Sequence, residues 1–137
     1  MSPHRAAGQS LVEVGLILPA VLVAIVVVLA IGIAARTDGG IGAVADEAAR
    51  AGALASDSSS AATAARQRGL AVAAGYGLDN GSLQIQVDTT DFRRGGDVRV
   101  LVTYSLPLDQ LPLLGWAAVP FRHAAAEPIA PNRSFRP

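Results

Sequence analysis

From Val14 to Ala35 the chain runs for 22 residues without a charged side chain. As an α-helix rising 1.5 Å per residue, such a run is about 33 Å long, close to the roughly 30 Å of a bilayer's hydrocarbon core. Its stretch AVLVAIVVVLAIGIAA, residues 20–35, is rich in β-branched side chains, which weakly disfavour helix in water. Within a bilayer the backbone has no water to bond, and helix becomes the remaining solution. No second segment of comparable apolarity is present to cover this one as a buried core helix. The run therefore predicts a single membrane-spanning helix. Arg5, His4 and the free amine lie before it, and Arg36 and Asp38 open the far side. The positive-inside tendency then puts the N-terminus in the cytoplasm and about a hundred residues outside. A secretory signal cut after Ala35 is the competing reading, but its apolar region should be only about 7–15 residues long.

Glu13 stands at the entrance to this run, where a carboxylate needs a reason. One reason is local. Ser10 and Glu13 have the spacing of a capping box, S-L-V-E, and an acid suits the positive end of a helix. The other is intermolecular. If the chain is cut between Gly8 and Gln9, Gln9 becomes the first residue and Glu13 the fifth. The new ammonium of a neighbouring helix, shifted by one turn, then meets the carboxylate, and two charges costly in a membrane satisfy each other. Such a pair sets register more than it adds stability. A glycine at the cut suits a protease that grips extended backbone closely. Further in, Pro19 cannot donate a hydrogen bond to the carbonyl of Gly15, so these two mark a kink or a local loosening.

Glycine, four non-acidic residues, glutamate and then a long apolar run form the processing signature of type IV prepilins. The fuller string GQSLVEVGLILP, residues 8–19, resembles the start of the TadE-like family, minor pseudopilins of the tight-adherence (Flp-type) pilus system. The segment ADEAARAGALA, residues 45–55, is similar to the Ala/Arg/Glu-rich stretch that follows that family's membrane helix, and the likeness covers residues 5–55. The resemblance implies a cut after Gly8 by a membrane aspartyl prepilin peptidase on the cytoplasmic face. It implies that Glu13 serves peptidase recognition, assembly or both. It also implies other pilins or pseudopilins and the pilus assembly platform as partners. Two departures from the major Flp pilin, Val14 in place of its tyrosine and a far longer chain, favour a minor pseudopilin over the filament subunit. The leader is short, with Arg5 its one full positive side chain.

Beyond the run, Gly39, Gly40 and Gly42 predict a helix break just outside the membrane. Ile41, Val44, Ala45, Ala48, Ala51 and Ala55 then recur at helical spacing, and Asp46 and Arg50 are placed for a surface pair. SDSSS, residues 56–60, offers N-caps for a second helix reaching about Ala74 and ended by Gly75 and Gly77. The period then changes to two. Leu83, Ile85 and Val87 share one face of a strand, and Val98, Val100, Val102 and Tyr104 one face of another. Gly95-Gly96 can turn a hairpin between them. A third, weaker strand is expected from about Val119 to Glu127. The prolines of LPLDQLPLLGWAAVP, residues 106–120, exclude a central strand there. Its Leu111, Leu113, Leu114 and Trp116 make an apolar loop that either covers the chain's own core or touches the membrane surface or a partner pilin.

The remaining composition narrows function mainly by exclusion. Aromatic residues make up only 4% of the chain, so the exported core is small and largely built from alanine. Eleven basic and eleven acidic residues are scattered without a stripe, which leaves no electrostatic footprint for nucleic acid. Without cysteine there is no disulfide and no thiolate metal site. Of the two histidines, His4 departs with the leader, and no H-E-x-x-H, P-loop or G-x-S-x-G is present. Asp88, Asp91 and Asp97 near the hairpin loop read as surface acids rather than a cation site. No catalysis, cofactor or metal is expected. The sequence thus predicts an α+β protein: leader 1–8, stem helix 9–35, a small extracytoplasmic domain 36–127 with one or two helices and a short antiparallel sheet, and an irregular tail 128–137. The alternative is an uncleaved single-pass anchor presenting a small extracytoplasmic binding domain, in which Glu13 only caps a helix.

Overall fold

One helix, α1 (His4–Ala53), runs 50 residues without interruption, about 75 Å at 1.5 Å per residue. The computed structural model describes residues 4–109, 111 and 114–130. After α1 come α2 (Ser58–Gly75), a 3-10 turn at Asn80–Ser82, and three strands, β1 (Leu83–Asp88), β2 (Asp97–Pro107) and β3 (Ala118–Pro128). The strands form an antiparallel sheet in the order β1-β2-β3. The architecture is α+β, as the change of hydrophobic period predicts.

The helix break expected at Gly39, Gly40 and Gly42 does not occur. A helical glycine costs only about 1 kcal/mol relative to alanine, and packing offsets that cost here. The aromatic ring of Tyr76 lies 3.1–3.3 Å from where a Cβ on Gly40 would stand, and the imidazole of His123 lies 3.6–3.8 Å from the same point on Gly42. These glycines let α2's end and β3 approach α1. Two more glycines do the same deeper in the core. A Cβ on Gly52 would meet Val98 Cγ1 at 2.9 Å, and one on Gly69 would meet Ile85 Cδ1 at 2.8 Å.

The core gathers between the C-terminal third of α1, α2 and one face of the sheet. Ile41, Val44, Ala45 and Ala48 of α1, Ala61, Ala65 and Ala73 of α2, and Val98, Val100, Val102 and Tyr104 of β2 are buried. The alanine stripe of the two helices permits close approach, and the valines of β2 fill the space against it. Ala51 and Ala55 are only half-buried, and Ala55 lies beyond the end of α1. Instead of the expected Asp46–Arg50 pair, for which no ion pair forms among the described residues, Glu47 reaches Arg68 across the helix pair at 2.8 Å. His123 meets Asp38 at 3.4 Å and ties β3 to α1.

Local signals set the ends of α2. The Asp57 carboxylate accepts the Ser60 amide at 2.8 Å, and the Ser60 hydroxyl lies 3.2 Å from the Asp57 amide, closing a capping box. At the other end Gly77 is left-handed, with φ of 70°. Leu78 N donates to Ala73 O and Gly77 N to Ala74 O, which is a Schellman closure. The hydrogen bonds from Ser59 and Ser60 hold the Asp57 carboxyl well below the usual aspartate range. Because the folded group titrates lower than the unfolded one, its contribution is present above the ordinary value of 3.8 and fades as pH falls through the folded value. Replacing Asp57 with alanine is expected to raise amide exchange over the first turn of α2 at neutral pH. Wild type should show the same fraying only in strong acid. Hydrogen exchange read at both pH values checks this.

The hairpin β1–β2 forms as expected, with Leu83, Ile85 and Val87 of β1 on the core side. β3 exceeds its expected bounds by one residue at each end. The strands also take in Leu106–Pro107 and Ala118–Pro120 of the segment expected to be loop. Pro107 thus closes β2, the central strand, contrary to the expectation that the prolines exclude one there; the prolines of β3 are tolerated because of which way they face. At the two ends of β3, Ala117 O accepts from Leu108 N and Ile129 N donates to Gly96 O, so these odd-numbered residues turn their backbones toward β2. By alternation Pro120 and Pro128 face the open edge, where a missing N–H breaks no ladder bond. In the following connection Leu108 is buried, and Leu111 and Leu114 pack on the core, while Trp116 is 87% exposed. Leu113 and the tail from residue 131 lie outside the described residues, as do Met1–Pro3 of the leader.

Candidate functional site

The candidate site is the apolar stem of α1 and its entrance. Burial divides the helix sharply. From Glu13 to Arg36 no residue is buried, and Thr37 is the first that is. Ile31 is 64% exposed, whereas Ile41, ten positions on in the same helix, is 0% exposed. Leu16, Val28 and Leu29 likewise stand open with no protein against them. This segment is long and apolar enough to cross a membrane. Among the described residues, none from elsewhere in the chain buries it, so its apolar surface calls for a covering from outside.

Gly8 and Gln9 both lie within α1, as helical residues, in its opening turns. By its backbone Ser10 is therefore interior to the helix rather than at its start, since α1 has already begun at His4, and its side chain lies outside the described residues. Glu13 is exposed, and no hydrogen bond or ion pair reaches it among the described residues. Gly15 has nothing within 4 Å of a Cβ position, and α1 passes through Pro19 without losing its helical assignment. The entrance thus carries an acid without a partner among the described residues, followed by an apolar surface with no buried residue up to Arg36. Chemically it can offer one negative charge and a smooth hydrocarbon face to another helix or to lipid.

The acids expected at the far hairpin are each engaged by a near neighbour. Asp88 accepts from Thr90, Asp91 pairs with Arg93 at 2.7 Å, and Asp97 with Arg99 at 2.9 Å. No group of three metal-ligating side chains occurs among the described residues. A groove of about 630 Å³ on the outer sheet face, between Gln86, Arg99, Leu101 and Ala124, lies away from the stem. Sequence reasoning missed the contacts that join α1 to the rest, namely Tyr76 on Gly40, His123 with Asp38 and Gly42, and Glu47 with Arg68. Each links residues far apart in the chain, and no local spacing announces them. Comparison of the chain with protein-family models, with curated proteins and with solved structures finds no match.

Proposed function

We propose that this chain is a TadE-like minor pseudopilin, a structural component that helps initiate or assemble a tight-adherence pilus in a bacterial envelope. In this reading the stem crosses the cytoplasmic membrane with its N-terminus inside and the α+β domain outside. A prepilin peptidase cuts after Gly8, and the ammonium of Gln9 on one subunit or on a partner pilin pairs with Glu13 of the next. The observation that carries the reading is Glu13, without a partner among the described residues, set five residues after Gly8 at the mouth of an apolar stem with no buried residue from Glu13 to Arg36. The stem continues as one helix into the core of the exported domain, so a pull on the domain is transmitted along a single rod. Pro19, with no N–H for the Gly15 carbonyl, supplies local give during extraction from the bilayer.

One feature favours the second reading, an uncleaved anchor. Gly8 and Gln9 are already helical, so a peptidase has to unwind the first turns of α1 before it can cut. Glu13→Ala separates the two. Under the pseudopilin reading this variant is processed more slowly than wild type, or is processed normally but loses cross-links to neighbouring pilins in the membrane. An uncleaved anchor shows neither change. Intact mass of the membrane-fraction protein and cross-linking in the native host are the measurements.

A further inference from the structure

We infer that Trp116 sits in the headgroup layer of the bilayer and holds the membrane-side end of the α+β domain against the lipid surface. The inference rests on the stem crossing the membrane. Its evidence is where the β2–β3 connection lies. Ile33 of the stem shares one cleft of about 240 Å³ with Leu106, Leu108 and Leu111. Ile33 belongs to the apolar run and precedes Arg36 by three residues, or roughly 4.5 Å along the axis. The connection is therefore level with the point where the stem leaves hydrocarbon. The opposite end of the domain is equally defined. There Arg50, Ala53 and Leu54 of α1 line a cleft with Glu127 and Pro128, and the β1–β2 loop bonds to Ile129.

The described residues of the connection are tied to one another and to the core. Leu111 N donates to Leu108 O at 3.0 Å and Ala117 N to Leu114 O at 2.9 Å, and Leu108, Leu111 and Leu114 pack inward. Trp116 turns out, at 87% exposure, on a chain with no other tryptophan. An indole left in water forfeits the burial of a large apolar ring. At a membrane interface the ring lies among headgroups and acyl carbons while its N–H stays hydrated, which is why tryptophan concentrates there. The stem and Trp116 then give the domain two points of contact with the bilayer, and two points restrict how far it can tilt about α1.

The test uses the full chain in phosphatidylcholine nanodiscs, with and without lipids brominated near the carboxyl end of the acyl chains. The control is Trp116→Phe/Arg94→Trp, which moves the sole tryptophan, excited selectively over the tyrosines at the red edge of its absorption, to the exposed loop at the other end of the domain. Trp116 is expected to emit to the blue of the control, to be quenched severalfold more by the brominated lipid, and to be shielded from iodide. If the protein enters nanodiscs but iodide reaches Trp116 as readily as the control, the inference is overturned while the membrane stem stands. A protein that fails to enter nanodiscs, seen by size-exclusion chromatography, overturns both.

Discussion

Ile41→Ala is expected to destabilise the α+β domain by about 2–5 kcal/mol, whereas Ile31→Ala should leave it within about 0.5 kcal/mol of wild type. The two isoleucines lie on one helix and differ only in what surrounds them. Ile41 is fully buried against the sheet and α2, and Ile31 is 64% exposed. Removing three carbons at residue 41 leaves a cavity in a core whose other members on α1 are mostly alanines. Small alanines cannot swing in to refill it, so relaxation is limited. Exchange of the β2 amides in detergent-solubilised protein reads the domain's opening free energy for both variants. Equal losses at residues 31 and 41 would mean that the stem is part of the folded core, against the division of α1 at Thr37.

Gly52→Val should cost about 1–3 kcal/mol from overpacking, although valine is ordinarily the better helix former of the two. A Cβ at this position already meets Val98 Cγ1 at 2.9 Å, with Ala61 O and Ala65 Cβ at 3.4 Å. Val98 is fully buried and stiff about χ1, so it has little room to yield. Gly39→Ala is the internal comparison. It lies on the same helix, meets nothing within 4 Å, and is expected to gain about 0.5–1 kcal/mol by removing glycine's entropic cost. Opposite signs at residues 39 and 52, measured by the same exchange experiment, distinguish a glycine kept for close approach from one that only weakens the helix. A stabilised Gly52→Val would show that α1 and β2 are not packed as closely as described.

These contrasts also show what could be read from residues alone. The stem was legible because hydrophobicity without charge over Val14–Ala35 has few physical solutions. The second helix and the β1–β2 hairpin were legible because their signals are local: Asp57 caps by reaching three residues, Gly77 closes a Schellman motif, and Val98, Val100 and Val102 alternate. Gly39, Gly40 and Gly42 carry the same letter as a helix stop, and whether they stop one depends on Tyr76 and His123, which arrive from elsewhere in the chain. The Ser10–Glu13 spacing misplaced the start of the helix for a related reason. The spacing is right, but the helix starts at His4, and a cap has meaning only where the helix begins. At the candidate site, residue types and spacing marked Gly8, Gln9 and Glu13. The structure adds that Glu13 has no partner among the described residues and that the stem is uncovered.

A continuous helix from stem to core bears on how such a subunit would work. Were α1 broken at the glycines, the α+β domain would hang on a hinge, and contacts made by the stem would tell the domain little. Joined through Gly40 to the end of α2 and through Asp38 and Gly42 to β3, the stem and the domain share one axis. Under the pseudopilin proposal, a register set at Glu13 would be carried to the sheet and would set the position of the domain on a neighbouring subunit.

The N-terminal residue of the wild-type protein, isolated from the membrane fraction of its native host, tests the central claim most directly. Terminal peptide sequencing with intact mass should find a chain that starts at Gln9, shortened by the eight residues Met1–Gly8. A chain beginning at Met1 or Ser2 would contradict prepilin-type processing and leave an uncleaved anchor, and one beginning at Arg36 would make the apolar run a removed signal.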